Sequence, residues 1–308
     1  VISTRRKPLP TATWTASLAS LAVTLPGLLT ASPAPATGSP PWTPLAAPAE
    51  PLAAGPLGGL LGTPAPSATS PWEGTVSTLG KLIWEAADGE LGMCSGAIVA
   101  AGNGSVVATA AHCADEALDG GPASAARAWF LPGYDRGLAG FRRDGWPVAR
   151  FHLPPSWEPG GTSRANLPHD YAFLTVRRKD GRTIEETHGA NRLVFAPVPE
   201  DRRVIALGYP AAAPHDGETP RYCAGPTRVL GPGEAASFNA GGLLLEDCGL
   251  TEGASGGPWI QDYDPAAESG TLVGVTSVGT GRGEIVGRPF PPEARALFDT
   301  AAGGARPR

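Results

Sequence analysis

Two short stretches carry side chains that could do chemistry together. In TAAHC (residues 109–113) His112 stands directly before Cys113, and in TEGASGGPWI (251–260) Ser255 stands among residues with little or no side chain. An imidazole can take a proton from a hydroxyl and return it near neutral pH, which suits the pair to nucleophilic attack on a carbonyl. The glycines around Ser255 open backbone conformations closed to other residues and let a carbonyl approach closely. The N–H groups of Gly253 and Ser255 could then point at one spot beside the hydroxyl. Paired donors of this kind stabilise a developing oxyanion, and losing one typically costs ~3 kcal/mol.

The serine stretch alone is ambiguous, because Gly253–Gly257 also satisfies G-x-S-x-G, the nucleophile elbow of α/β-hydrolases. Chain order decides. An α/β-hydrolase places its histidine after the serine, yet all five histidines (112, 152, 169, 188 and 215) precede Ser255. The order that remains is His, Asp, Ser. Asp170 is the acid of choice among nine aspartates between His112 and Ser255. It leads the apolar run YAFLTV, whose strand should be buried, and a buried carboxylate is costly unless a donor such as an imidazole N–H satisfies it.

With these residues in view, the chain resembles the chymotrypsin/trypsin-like serine proteases. TAAHC is similar to the histidine motif of that family, HDYAFLTV (169–176) to its aspartate strand, and GASGGP (253–258) to its serine loop. CSGAIV (94–99) and VTSVG (275–279) match in position and character, and GYPAAAP and CGLTEGASGGPW look like secreted actinobacterial members. The resemblance covers about residues 76–290. It implies a serine endopeptidase with His112 as base, Asp170 as its orienting carboxylate and Ser255 as nucleophile, and Gly253 and Ser255 as the oxyanion hole. It also implies a Cys94–Cys113 bridge that clamps the backbone beside the base. A silent binding protein would need a damaged triad or loop, and none is visible; an esterase on the same fold is the other alternative.

The pattern is broken in two places. Many members carry an aspartate just before the serine, which binds the ammonium of a newly cut N-terminus; Ala254 supplies no charge there, which implies activity independent of such a terminus. By family position the specificity pocket has Gly249 at its base and Ser277, Val278 and Gly279 along one wall. No acid stands at that base, and Thr276 occupies the place where glutamate-specific relatives use histidine. A small or apolar residue before the cut is the expectation, although Asp247 or Glu252 could reach the pocket if the loop is built differently.

Those residues need a scaffold. Glycine (42) and proline (34) make up almost a quarter of the 308 residues, and charged residues only 17%. Gly and Pro are the worst helix formers, so this composition fits short strands joined by tight turns. Strand candidates flank Asn103-Gly104, a hairpin signal. Others are RAWFLPGY, WPVARFHL, DYAFLTV, RVIALGYP, RYCAGPTRVL, GGLLLEDC, GPWIQDY and TLVGVTSVG. PPEARALFDTAAGG reads as a short C-terminal helix. The periodicities give an all-β unit over about 72–300. The resemblance implies two antiparallel six-stranded β-barrels, one over about 76–188 and one over about 190–290.

The upstream chain has a different texture. STRRKPL followed by the apolar ASLASLAVTLPGLL and the small-residue ASPAPA reads as a signal peptide over 1–36. Residues 37–71, rich in Pro, Ala and Gly, read as a disordered linker or pro-segment, and 301–308 as a disordered tail. An exported chain with four cysteines suggests two disulfides. Of the three possible pairings, the local one, Cys94 with Cys113 and Cys223 with Cys248, is the simplest. Zinc competes, but no paired C-x-x-C spacing exists, so neither metal nor other cofactor is expected. The net charge of −5, with no basic block beyond Arg5–Lys7, argues against nucleic acid, because phosphate binding needs clustered Lys and Arg. A secreted monomer acting on protein or peptide substrates, with no membrane contact after signal removal, is the expectation.

Overall fold

Runs of buried residues set the first sheet. The chain enters it from β1 (Ser70–Pro71), a two-residue strand, and continues through β2 (Leu79–Glu85) and β3 (Leu91–Val99). Next come β4 (Val106–Thr109), helix α1 (Ala111–Leu118), β5 (Ala128–Pro132), a single turn α2 (Phe141–Asp144), β6 (Trp146–His152) and β7 (Ala172–Val176). Strands β2-β3-β4-β7-β6-β5 close on themselves as a barrel. Closure leaves no unpaired edge and fills the interior with side chains. Leu82, Ile98, Val107, Phe130, Trp146 and Leu174 form that interior, all buried. Burying a side chain of this size contributes roughly 1.5–3 kcal/mol.

The computed structural model describes residues 69–87, 89–118, 127–160, 165–200, 202–233, 239–279 and 283–303. These all lie within one compact body, Glu50–Arg308, that contains both sheets. The signal peptide, almost all of the linker and residues 304–308 of the tail lie outside the described residues.

After α3 (Ile184–His188), whose Thr183 and Glu186 form a reciprocal capping box, the chain builds a second sheet. Its strands are β8 (Arg192–Leu193), β9 (Arg203–Gly208), β10 (Arg221–Pro226), β11 (Arg228–Val229) and β12 (Leu243–Leu245). They are followed by β13 (Pro258–Asp264), β14 (Ser269–Gly279), β15 (Ile285–Pro289) and the C-terminal helix α4 (Ala294–Ala301). The order is β1-β10-β9-β13-β14-β15-β12-β11, with β8 parallel to β14. Two mainly antiparallel units and the terminal helix agree with the all-β expectation. The second unit differs in detail: among the described residues it is a nine-stranded curled sheet, not a closed six-stranded barrel. Pro226, which has no N–H to donate, ends β10, and the terminal strands β1 and β11 have two residues each. A ladder ended in this way has little edge left to pair.

The two sheets pack through a shared core that includes Leu79, Ile83, Tyr134, Phe173, Tyr209 and Phe290. Lys81 is buried among them, its Nζ 4.0 Å from the Tyr134 ring centre and 3.5 Å from Glu218 of the second unit. Burial pulls the Lys81 pKa down, against the pull of the Glu218 carboxylate. Two disulfides, Cys94–Cys113 and Cys223–Cys248, lie one in each unit. They span 19 and 25 residues, and closing loops of that size contributes roughly 3 kcal/mol each on the chain-entropy argument.

Candidate active site

Strand pairing brings the histidine and the aspartate together. β4 and β7 are antiparallel neighbours with Thr109 opposite Ala172. The chain leaves β4 three residues before His112 and enters β7 two residues after Asp170, so both lie at the same end of the barrel. Asp170 Oδ2 is 2.9 Å and Oδ1 3.1 Å from His112 Nδ1. The His112 backbone N–H, in the first turn of α1, also donates to Oδ1 at 3.0 Å. The Ser277 hydroxyl donates to Oδ2 at 2.5 Å. A fully buried carboxylate thus has three donors, which is what its burial requires.

Electrostatics follow from the pair. Burial opposes ionisation of Asp170, but the His112 charge and ring N–H, the Ser277 hydroxyl and the His112 backbone N–H outweigh it and hold the carboxyl below its usual range. Burial likewise opposes charge on the imidazole, yet Asp170, with Glu116 adding to it, moves the His112 pKa above its ordinary value. Accepting a proton needs neutral imidazole, so activity should fall as pH drops through this raised pKa. We expect the ascending limb of kcat/KM between pH 5 and 9 to centre above ~6.5, the value of an unperturbed histidine. A limb centred lower, or a flat profile, would contradict the pairing.

Ser255 lies in the loop entering β13. Gly256 N–H donates to Thr276 O at 2.7 Å and Thr276 N–H to Gly257 O at 2.8 Å, tying the loop to β14. Gly253 (φ +91°) and Gly256 (φ +75°) occupy the left-handed region. A Cβ at Gly253 would lie 2.6 Å from Tyr209 O, and one at Gly256 2.1 Å from Thr109 Oγ1. Both positions therefore demand glycine. Among the described residues neither the Gly253 N–H nor the Ser255 N–H has a protein acceptor, as donors reserved for a ligand would be.

A cleft of about 860 Å³ holds His112 and Ser255 on its lining. Gly249, Gly253, Ser277, Val278 and Gly279 line it too, so every site residue expected from the sequence except the buried Asp170, Cys113 and Cys223 reaches the same cavity. Among the described residues no hydrogen bond joins Ser255 Oγ to His112. Nε2 instead lies 3.5 Å from Cys113 Sγ. That sulfur is bonded to Cys94, so the sulfurs beside His112 offer no thiolate to a metal.

Three features were not read from the sequence. Ser277, expected only in the pocket wall, also supports Asp170; the unmet hydrogen-bonding need of a buried acid was the available signal. Glu116 and Glu284 line the cleft with Glu252. Glu284 arrives there because Gly279 of β14 pairs with its neighbour Ile285, a register invisible in the sequence. Asp247 instead faces a separate hollow with Arg228. The Thr276 hydroxyl accepts from the Trp259 indole at 3.0 Å, and Ala254 is buried in the apolar core of the second unit.

A closed barrel and a curled sheet, with a buried His–Asp pair beside a cleft, define a chymotrypsin-like fold. Residues 94–275 match the trypsin-like peptidase domain family, and the chain belongs to that family. Its structure is similar to that of the protease Anisep from Arthrobacter nicotinovorans, at 26% identity and TM-score 0.63 over 77% of this chain and 100% of that one. A thermostable serine protease, AL20, from an extremophilic microorganism is similar at 26% identity and TM-score 0.60, over 75% and 99% of the two chains. A Glu endopeptidase shares the fold at 14% identity and TM-score 0.54, over 77% and 97%. No curated protein matches the chain.

Proposed function

We propose that the protein is a secreted serine endopeptidase that cuts peptide bonds through an acyl-enzyme. The observation that carries this reading is the buried His112–Asp170 pair opening onto the same cleft as Ser255. In the reaction Ser255 Oγ attacks the scissile carbonyl while His112 Nε2 takes its proton, and the same proton then passes to the leaving amine. Asp170 keeps the proton on Nδ1 and stabilises the imidazolium. The negative charge that develops on the carbonyl oxygen is met by the Gly253 and Ser255 N–H groups. The Ser255–His112 hydrogen bond has to form as substrate arrives; catalytic hydrogen bonds commonly tighten only in the substrate complex.

Gly249 and the Ser277–Gly279 wall would receive the side chain before the cut. Glu116, Glu252 and Glu284 around the cleft disfavour an acidic side chain there by like-charge repulsion. Two disulfides suit an oxidising, extracellular setting. Among the described residues no helix is long and apolar enough to cross a membrane.

The test joins two assays on the purified protein. A fluorophosphonate probe should label it at one site, mapped by peptide mass spectrometry to Ser255, and the same preparation should degrade casein. Labelling without casein cleavage would replace the endopeptidase with an esterase. Neither labelling nor cleavage would leave a binding protein on this fold.

A further inference from the structure

Ser95 follows the disulfide residue Cys94 in β3 and is fully buried. It makes four hydrogen bonds to three separate segments. Its N–H donates to Ser255 O at 2.8 Å. Its hydroxyl donates to Gly253 O at 2.8 Å and accepts from Tyr209 N–H at 2.9 Å. Its carbonyl accepts from the Thr109 hydroxyl at 2.8 Å. One residue of the first barrel therefore grips the carbonyls of both cleft residues whose N–H groups lack a protein acceptor among the described residues.

The grip matters because of what it holds. Gly253 has the widest backbone freedom of any residue type, and nothing in its own side chain can fix the direction of its N–H. The Ser255 carbonyl is held by the Ser95 backbone N–H, which any residue except proline would supply. The Gly253 carbonyl is held by the hydroxyl, which few residues would. The Tyr209 N–H in turn fixes the orientation of that hydroxyl, since it occupies an acceptor lone pair and leaves the proton to point at Gly253.

We propose that Ser95 is a positioning residue for the oxyanion hole: its hydroxyl locks the Gly253–Ala254 peptide, which joins the peptide carrying the Gly253 N–H to the one carrying the Ser255 N–H, so that the two N–H groups converge on one point. The proposal rests on the peptidase reading above and adds a residue to it. Donors that converge before substrate binds stabilise the transition state more than the ground state, so the hydroxyl should act on kcat and not on KM.

The experiment compares Ser95→Ala, Ser95→Gly and Ser95→Thr in the full chain. Turnover on a peptide substrate is normalised to the fraction of molecules that a fluorophosphonate probe labels at completion, so that only folded enzyme is counted. Thr78→Val serves as the structural control. Thr78 is also buried, and its hydroxyl joins the two units through Glu268 O at 2.6 Å, away from the cleft. Ser95→Ala and Ser95→Gly should lower kcat on the order of tenfold to a hundredfold, the range expected when a reacting geometry is misplaced by about 1 Å. KM should stay within about twofold, and affinity for a peptide boronate should fall in parallel with kcat while affinity for the product peptide holds. Ser95→Thr, which restores the hydroxyl, should recover most of the loss, and Thr78→Val should lower Tm without lowering normalised kcat. Normalised kcat in Ser95→Ala or Ser95→Gly within about twofold of wild type would overturn the proposal, as would equal losses of boronate and product affinity. A wild-type protein that neither labels nor cleaves would instead overturn the peptidase reading itself.

Discussion

Replacing Ser255 by alanine should reduce kcat by on the order of 10⁶, and replacing His112 by alanine should cost about the same. The two losses should not add. If the imidazole has no function except to move the Ser255 proton, removing it after the serine is gone removes nothing further. The double variant should therefore match either single one in a steady-state assay sensitive enough to read the residual rate. The residue that survives is the contribution of substrate positioning and of the Gly253 and Ser255 N–H groups, which neither substitution deletes. A double variant slower than both singles by a further factor of 10⁶ would mean that the two act independently and that the proposed proton transfer is wrong. Ser255 is half-buried in its loop, so near-native Tm is expected for Ser255→Ala, whereas His112→Ala removes a donor from the buried Asp170 carboxylate and should lower Tm.

Asp170→Asn should lower kcat by roughly 10⁴ at neutral pH while leaving the backbone in place. Asparagine keeps the shape but offers an amide where the carboxylate accepted the ring N–H, so one orientation presents a donor to a donor and the wrong nitrogen of His112 holds the proton. The charge is lost as well. The present raised pKa of His112 results from Asp170 overcoming burial; with Asp170 neutral, burial remains and the imidazole pKa should fall. The ascending limb of kcat/KM should thus move to lower pH than in the wild type, and its plateau should drop. An unmoved limb, or a loss of less than tenfold, would assign the orienting role to another acid. Stability shows the opposite signs for the two partners. The lowered pKa of Asp170 contributes stability above the unfolded carboxyl value of ~3.9 that is lost as pH falls. The raised pKa of His112 contributes below ~6.5 and fades as pH rises through its folded value.

The sequence placed the candidate site residues more closely than it placed the strands around them. His112 and Ser255 were readable because each is flanked by the small residues its local geometry needs, and chain order alone eliminated the competing hydrolase. Asp170 was accessible through a physical argument, the cost of burying an acid at the head of an apolar strand, and the β4–β7 register supplied the rest. Strand β2 was not read: Leu79–Trp84 are all buried, so the alternation that marks a half-exposed strand is absent, and Lys81 in its middle resembles a surface residue. Its partner Glu218 is 137 residues away, a distance over which local patterning says nothing. The hairpin at Asn103-Gly104 was correct in place, but the connection runs over Ala100–Ser105, with the Asn103 side chain accepting from Ser105 N–H at 3.0 Å. Sheet closure depends on inter-strand register and on where Pro226 interrupts the ladder, and neither is a property of any one segment. Ser95 is the same kind of case. Its residue type is plain in CSGAIV, but its value lies in a hydroxyl that meets loops 114 and 158 residues downstream.

His112 and Asp170 belong to the first barrel, whereas Ser255 and the glycines around it precede β13 of the second sheet. Because a ribosome delivers the N-terminal portion first and domains condense largely in that order, the His112–Asp170 pair is assembled while Ser255 is still unmade or unpacked. On the proposed peptidase reading, cutting power would then arrive only with the last third of the polypeptide, and a stalled or truncated product would be harmless to the cell that made it.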